Sequence, residues 1–317
     1  MTDSTASPTD PAPTDASPAT GPETTPTVIE LDSPPDLTPM LARVAAGALP
    51  LPGRGGGKAD RTLPDTTVVL HDATVDLDHL ASYAEVCGFR LASTLPPTYL
   101  HMLGFPLSVQ LMTREDFPFG LMGMVHVANR ITQHRPAGID ETLELTASVT
   151  NLRPHPKGQQ MDNVVVATAG GVPVWESTST YLKRGSGADE AASGSNVDVE
   201  VATLPLTGLW RVPGDIGRRY GAVSGDRNPI HMSGLTAKAF GFPKAIAHGM
   251  WTKARALAGL EGGITAGCEI DVAFKLPLLL PRTVEYATQR TDGGGWAFGV
   301  RSRDGKPHLA GTVTPRA

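Results

Sequence analysis

Cysteine is scarce. Cys87 and Cys268 are the only two in 317 residues and form no CxxC pair. That excludes a disulfide scaffold and a zinc ribbon, and it fits a reducing cytosol. No apolar run approaches the ~20 residues that a membrane span needs. The first residues, Met1-Thr-Asp-Ser-Thr, lack the cationic and apolar regions of a secretory signal. Positive charge is not in excess: 27 Lys and Arg against 32 Asp and Glu leave a net charge of -5, which argues against a general nucleic-acid binder. HExxH and the GxSxG elbow are missing. The Gly53–Lys58 run resembles a phosphate loop, but Pro52 stands where the first glycine of GxxxxGK[ST] belongs and Ala59 replaces the hydroxyl. It reads as a linker. The expectation is a cytoplasmic protein.

Apolar residues make up 40% of the chain, enough for a real core once the polar front end is set aside. Residues 1–27 are nearly all Thr, Pro, Ala, Ser and Asp and read as a disordered tail. An extension and linker, 28–64, follows, with an amphipathic helix from Leu37 to Ala46 stopped by Gly47. Two longer units, 65–184 and 200–317, flank a polar linker over 185–199. In each unit the periodicities predict a strand, helices and then a four-stranded antiparallel meander. The segment Thr98–Met112 reads as helix broken near Gly104 and Pro106, and Gly170-Gly171 as a hairpin turn. Helices placed ahead of strands indicate an α+β fold, here made twice as a pseudo-dimer.

The chemistry concentrates in Tyr220-Gly-Ala-Val-Ser-Gly-Asp226-Arg-Asn228-Pro-Ile-His231. A carboxylate, an amide and an imidazole lie close together, the set a proton-transfer site uses. Gly221, Gly225 and Pro229 break regular structure and predict a loop of fixed shape, leading into a helix over Met232–Phe240. Other readings stay open. Asp226 or Asn228 could simply cap a helix. Ser224, Asp226 and His231 could form a triad, though members so close in sequence are poorly placed to assemble one. Asp226, His231 and His248 could hold a metal, without a metal-ligand frame to support it. Downstream, Ala247-His248-Gly249-Met250-Trp251 precedes a helix over Thr252–Leu260, where the Gly249 N–H could meet a developing oxyanion. The first unit has no equivalent cluster, and its His101 and His126 read as packing or surface residues. Lys244, Lys253 and Arg255 read as solvated charges, or as contacts for anionic groups of a ligand.

The Tyr220–His231 stretch, followed by Ala239 and His248-Gly249-Met250, resembles the hydratase-2 motif of MaoC-like (R)-specific enoyl-thioester hydratases. The resemblance covers roughly residues 65–317. Leu95-Pro-Pro-Thr-Tyr99 and Val125-His-Val-Ala-Asn-Arg130 are similar to actinobacterial 3-hydroxyacyl-thioester dehydratases of long-chain fatty or mycolic acid synthesis. The resemblance implies a double hot-dog, two antiparallel sheets each wrapped round a helix, with a degenerate N-terminal half. It implies reversible syn addition of water to a trans-2-enoyl thioester of coenzyme A or acyl carrier protein, giving an (R)-3-hydroxyacyl thioester. Asp226 and His231 would hold the water and move its protons, Asn228 would orient it, and the Gly249 N–H would bind the thioester oxygen. Tyr220, Ser224, His248 and Met250 would bind substrate. No cofactor or metal is implied, and a homodimer is allowed. A hot-dog thioesterase and a non-catalytic acyl-binding subunit are the competing functions.

Overall fold

The structure, a computed structural model, describes residues 26–41, 62–121, 123–185 and 197–316. The tail through residue 25, the Gly53–Lys58 run and most of the 185–199 linker lie outside these residues. So does the second half of the helix expected from Leu37, whose first residues, 37–41, are helical.

A strand lies ten residues ahead of the helix expected from Leu37. Strand β1 (Thr27–Leu31) pairs in parallel with β2 (Thr66–Ala73). His71 on β2 lies between the carboxylates of Glu30 on β1 and Glu144, which raise its pKa. Helix α1 (Leu77–Cys87) starts at Asp76, whose carboxylate accepts from the N–H groups of Asp78 and His79, and ends at the left-handed Gly88. Helix α2 (Tyr99–Met112) is continuous, contrary to the expected break. Pro106 costs it one backbone bond, but the helix is buried along most of its length and tertiary packing outweighs that loss. Gly104 lets it lie against the sheet, since a Cβ there would meet Val165 at 2.5 Å.

Strands β3 (Met124–Gln133), β4 (Leu143–His155), β5 (Gly158–Ala169) and β6 (Val172–Arg184) complete the first half. The second half runs β7 (Leu206–Val212), α3 (Ile216–Ser224), α4 (Pro229–Met232), α5 (Gly234–Ala239), α6 (Gly249–Ala258), β8 (Cys268–Phe274), β9 (Arg282–Arg290), β10 (Trp296–Ser302) and β11 (Pro307–Pro315). The spatial order β1-β2-β4-β5-β6-β3-β8-β11-β10-β9-β7 corrects the four-stranded meander. Only the last three strands of each half run as a meander. The strand before them crosses to the far side of the last one. The connection after β3 and the Pro277- and Pro281-containing one after β8 are not tight turns, so neither closes a hairpin. This arrangement, made twice with α2 and α6 packed on the sheet, is the double hot-dog α+β fold.

The two sheets are not separate. Strands β3 and β8 pair antiparallel from Ala128↔Ala273 to Gln133↔Cys268, fusing them into one sheet of 11 strands. One hydrophobic cluster runs through both halves, from Leu70, Tyr83 and Leu107 to Leu257, Ile270 and Phe298. Each large apolar side chain fully buried there contributes roughly 1.5–3 kcal/mol.

Lys253, on α6, is fully buried, which corrects both readings made of it. Its ammonium donates to Asn129 Oδ1 at 2.5 Å and to the carbonyls of Asn129 and Ile270 at 3.2 Å, tying α6 to the β3–β8 seam. Burial pushes its pKa down to about 7. The unfolded chain therefore holds a proton on this lysine that the native state gives up between about pH 7 and the ordinary lysine range. Stability linked to Lys253 is lowest below pH 7 and rises as pH increases across that window. Lys253→Met should remove this rise. Comparing the thermal midpoints of the two proteins from pH 6 to 10 measures it, and parallel curves would contradict it. Arg255 lies over the Trp210 ring at 5.4 Å, and Lys244 is exposed.

Candidate active site

The site rests on two glycines of α3, Gly217 and Gly221, four residues apart and so on one helical face. A Cβ on Gly217 would stand 2.1 Å from the carbonyl oxygen of His231, and one on Gly221 would stand 2.9 Å from that of Asp226. The segment from Asp226 to His231 therefore lies directly on the α3 backbone. Gly221 was expected to break structure; it sits inside the helix and serves close approach instead. The break comes at Gly225, left-handed at φ 73°.

Beyond Gly225 alternate backbone N–H groups are fixed by nearby side chains. Asp226 N–H donates to Ser224 Oγ at 3.2 Å, and Asn228 N–H donates to Asp226 Oδ1 at 3.1 Å. Asn228 caps α4, its Oδ1 accepting from Ile230 N–H at 3.4 Å, with Pro229 opening the helix. The capping role considered for Asn228 is thus real. The expected Met232–Phe240 helix instead starts at Pro229 and is divided by the extended Ser233, so His231 lies on α4 rather than in a loop.

His231 Nδ1–H donates to the Ile246 carbonyl at 2.8 Å, which leaves Nε2 as the basic nitrogen. The ring stacks on His248 with centroids 3.6 Å apart. His248 Nε2–H donates to the backbone oxygen of Asp226 at 2.9 Å and lies 3.7 Å from Asp226 Oδ2. Burial lowers the pKa of His231, opposed by the Asp226 charge. His248 is lowered to about 3, by burial first and by His231 second. Both imidazoles are therefore neutral at pH 7. The carboxylate of Asp226 is about one-third exposed, at 33%.

His248 is also the residue before α6. The first bond of that helix runs from Thr252 N–H to the His248 carbonyl, so the N–H groups of Gly249, Met250 and Trp251 precede it. The helix starts three residues before the expected Thr252. At Gly249 a Cβ would press on the Phe274 ring at 3.0 Å. Asp226, Asn228, His231, Tyr220, Ser224, His248, Gly249 and Met250 all line one cavity of ≈ 370 Å³. The Tyr220 hydroxyl is turned toward Met102 Sδ at 3.4 Å. Ser224 Oγ is engaged by Asp226 N–H, and among the described residues no hydrogen bond joins it to His231. One ligand atom from each of Asp226, His231 and His248 lies within 4.8 Å of the others, a spacing that suits a metal ion or a single water.

Residues 197–306 match the family model for the MaoC like domain. The chain is 36% identical to 3-hydroxyacyl-thioester dehydratase X of Mycobacterium tuberculosis over 274 residues, which is 86% of this chain and 96% of that protein. The chain belongs to the MaoC-like dehydratase family. The crystal structure of the M. tuberculosis protein HtdX superposes with a TM-score of 0.70 at 35% identity, covering 79% of this chain and all of that one, 100%. A MaoC-like dehydratase from Phytophthora capsici shares the fold, with a TM-score of 0.65 at 19% identity over 79% of this chain and 95% of that one.

In this MaoC-like chain the N-terminal half also supports the motif loop. His79 Nε2–H donates to the Val223 carbonyl at 2.7 Å, and its Nδ1 accepts from the Tyr99 hydroxyl at 2.8 Å. Leu37 packs on Gly225, its Cδ1 2.3 Å from where a Cβ would be. His101 and His126 are packed against neighbouring rings, as one of the two readings had them, and they also line the cavity. Neither Leu37 nor His79 has a signal in the sequence; each is defined by a partner far along the chain.

Proposed function

We propose that this MaoC-like protein catalyses reversible hydration of trans-2-enoyl thioesters to (R)-3-hydroxyacyl thioesters, and the reverse dehydration, in fatty acid metabolism. Residues 200–317 form the catalytic half and 65–184 the degenerate half. The observation that carries the reading is the bond from His248 Nε2–H to the Asp226 carbonyl. It ties the acid–base loop to the N-terminus of α6, so proton transfer and oxyanion binding share one cavity.

In this reading a water sits between Asp226 and the free Nε2 of His231 and attacks C3. One of the pair takes its proton, and the developing enolate oxygen receives the Gly249 N–H and the positive end of the α6 dipole. A proton delivered to C2 completes the addition. Asp226 and His231 act as one coupled unit, and the microscopic order of their proton transfers belongs to the pair. Asn228 holds the loop and faces the water. Tyr220, Ser224, His248 and Met250 shape the thioester end of the pocket. No step calls on a cofactor. The substrate is an acyl thioester, on coenzyme A or a carrier protein. The proposal extends to a cytoplasmic location, supported by the free and buried Cys87 and Cys268, and to a homodimer, which sedimentation velocity would measure.

Incubation with enoyl-CoA of graded chain length, with chiral analysis and a free-thiol assay, tests the reading. The expected product is the (R)-3-hydroxyacyl-CoA with coenzyme A still attached. Release of free thiol as the main reaction would favour a thioesterase, and a folded protein without turnover would favour a non-catalytic acyl binder.

A further inference from the structure

The wall that the N-terminal half gives to the cavity is largely apolar, with Met102, Phe105, Met124 and Val125. Two imidazoles interrupt it, along with the Tyr181 phenol and Arg184. His101 comes from α2 and His126 from β3, and their rings lie nearly parallel with centroids 6.3 Å apart. His126 stacks on Tyr181 at 4.7 Å and meets the edge of Phe274 at 4.9 Å. The Phe274 ring also packs on Gly249, so this pair stands near the proposed oxyanion site. His101 Nδ1 and His126 Nε2 are buried and have no hydrogen-bond partner among the described residues. The reaction proposed above uses neither.

Polar atoms buried without partners are rare because they are costly, and on the wall of a binding cavity the bound molecule can supply the partner. The charge state restricts what that partner is. Burial lowers His101 to about 4, helped by Lys253 and opposed by the Asp226 charge, and holds His126 well below its ordinary value, helped by His101 and Lys253. A neutral imidazole carries one donor and one acceptor. A carboxylate on the acyl chain would want cationic rings, and a plain methylene would leave both nitrogens unpaired. A hydroxyl, which donates and accepts, suits the pair.

We propose that His101 and His126 form a second polar pole of the pocket, a subsite for a hydroxyl group carried by the acyl chain beyond C3. The proposal rests on the dehydratase reading and names its substrate class as hydroxylated enoyl thioesters. The experiment uses full-length protein and trans-2-enoyl-CoA substrates of one length, with or without a hydroxyl scanned along the chain beyond C3. At one position the hydroxyl should raise kcat/KM by ~10-fold or more, the scale of a buried hydrogen bond lost from the plain substrate. In His101→Leu and His126→Phe the ratio of hydroxylated to plain substrate should fall toward one. No preference at any position in the wild type overturns the proposal, whatever the variants do. So does a ratio that survives in both variants. Equilibrium binding of matched saturated acyl-CoAs separates the subsite from the chemistry. Preferential binding of the hydroxylated acyl-CoA without turnover of any enoyl-CoA would defeat the dehydratase reading and keep the subsite. Turnover without preference would defeat the subsite alone.

Discussion

Asp226→Asn is expected to lower kcat for hydration of crotonyl-CoA or a longer enoyl-CoA by at least ~100-fold, the usual scale for losing an acid–base group. The substitution is selective because the structural duties of Asp226 survive in asparagine. The backbone oxygen still accepts from His248, the backbone N–H still donates to Ser224, and a side-chain oxygen can still accept from Asn228 N–H. What is lost is the negative charge and basicity beside His231. A residue that merely shaped the turn would tolerate the change, so activity separates the two roles while circular dichroism checks the fold. His231→Ala should fall as far, but it also removes the ring stacked on His248 and is the less selective test. Near-wild-type hydration by both folded variants would sink the assignment.

Gly217→Ala should disable the site without touching any reacting group. The added methyl would lie 2.1 Å from the carbonyl oxygen and 3.5 Å from the Cα of His231, and these backbone atoms cannot rotate away. Helix α4 must move, and a displacement on the order of 1 Å at a reacting group can cost ~100-fold in rate. Helix propensity pulls the other way, since alanine is favoured over glycine inside a helix by about 1 kcal/mol. The expected result is kcat reduced by ~100-fold despite that local gain, with the acid–base pair still present. Gly234→Ala is the control, because a Cβ there meets nothing within 4 Å. Wild-type kcat in Gly217→Ala would show that the close packing of α3 on the proposed catalytic segment is dispensable.

The parts of this molecule that were legible in the sequence are those set by neighbours in the chain. Gly170-Gly171 announces the β5–β6 turn, and the motif from Tyr220 to His231 brings its polar groups together within one loop and one short helix. What was hidden depends on residues far apart. Lys253 and Asn129 are separated by 124 positions, and His79 and Val223 by 144. In one dimension Lys253 resembles any solvated lysine on a helix. Its burial follows only once β3 and β8 are known to pair. The same holds for Gly217, which lies outside the motif and shows its purpose only when α4 is laid across α3. Strand order was hidden for a related reason: alternation marks a strand and its faces but does not name its partner.

The pairing of β3 with β8 has a consequence for how the two halves can change. If two copies of a single unit met along such an edge, every substitution would appear on both sides of the symmetry axis. Within one polypeptide that restriction is gone. One side can keep Asp226 and His231 while the other places unrelated groups such as His101 and His126 on the wall of the same cavity. Joining the halves covalently also makes their association intramolecular, so it does not weaken on dilution. Each chain should therefore carry a complete reaction chamber even at the low enzyme concentrations used in kinetic assays.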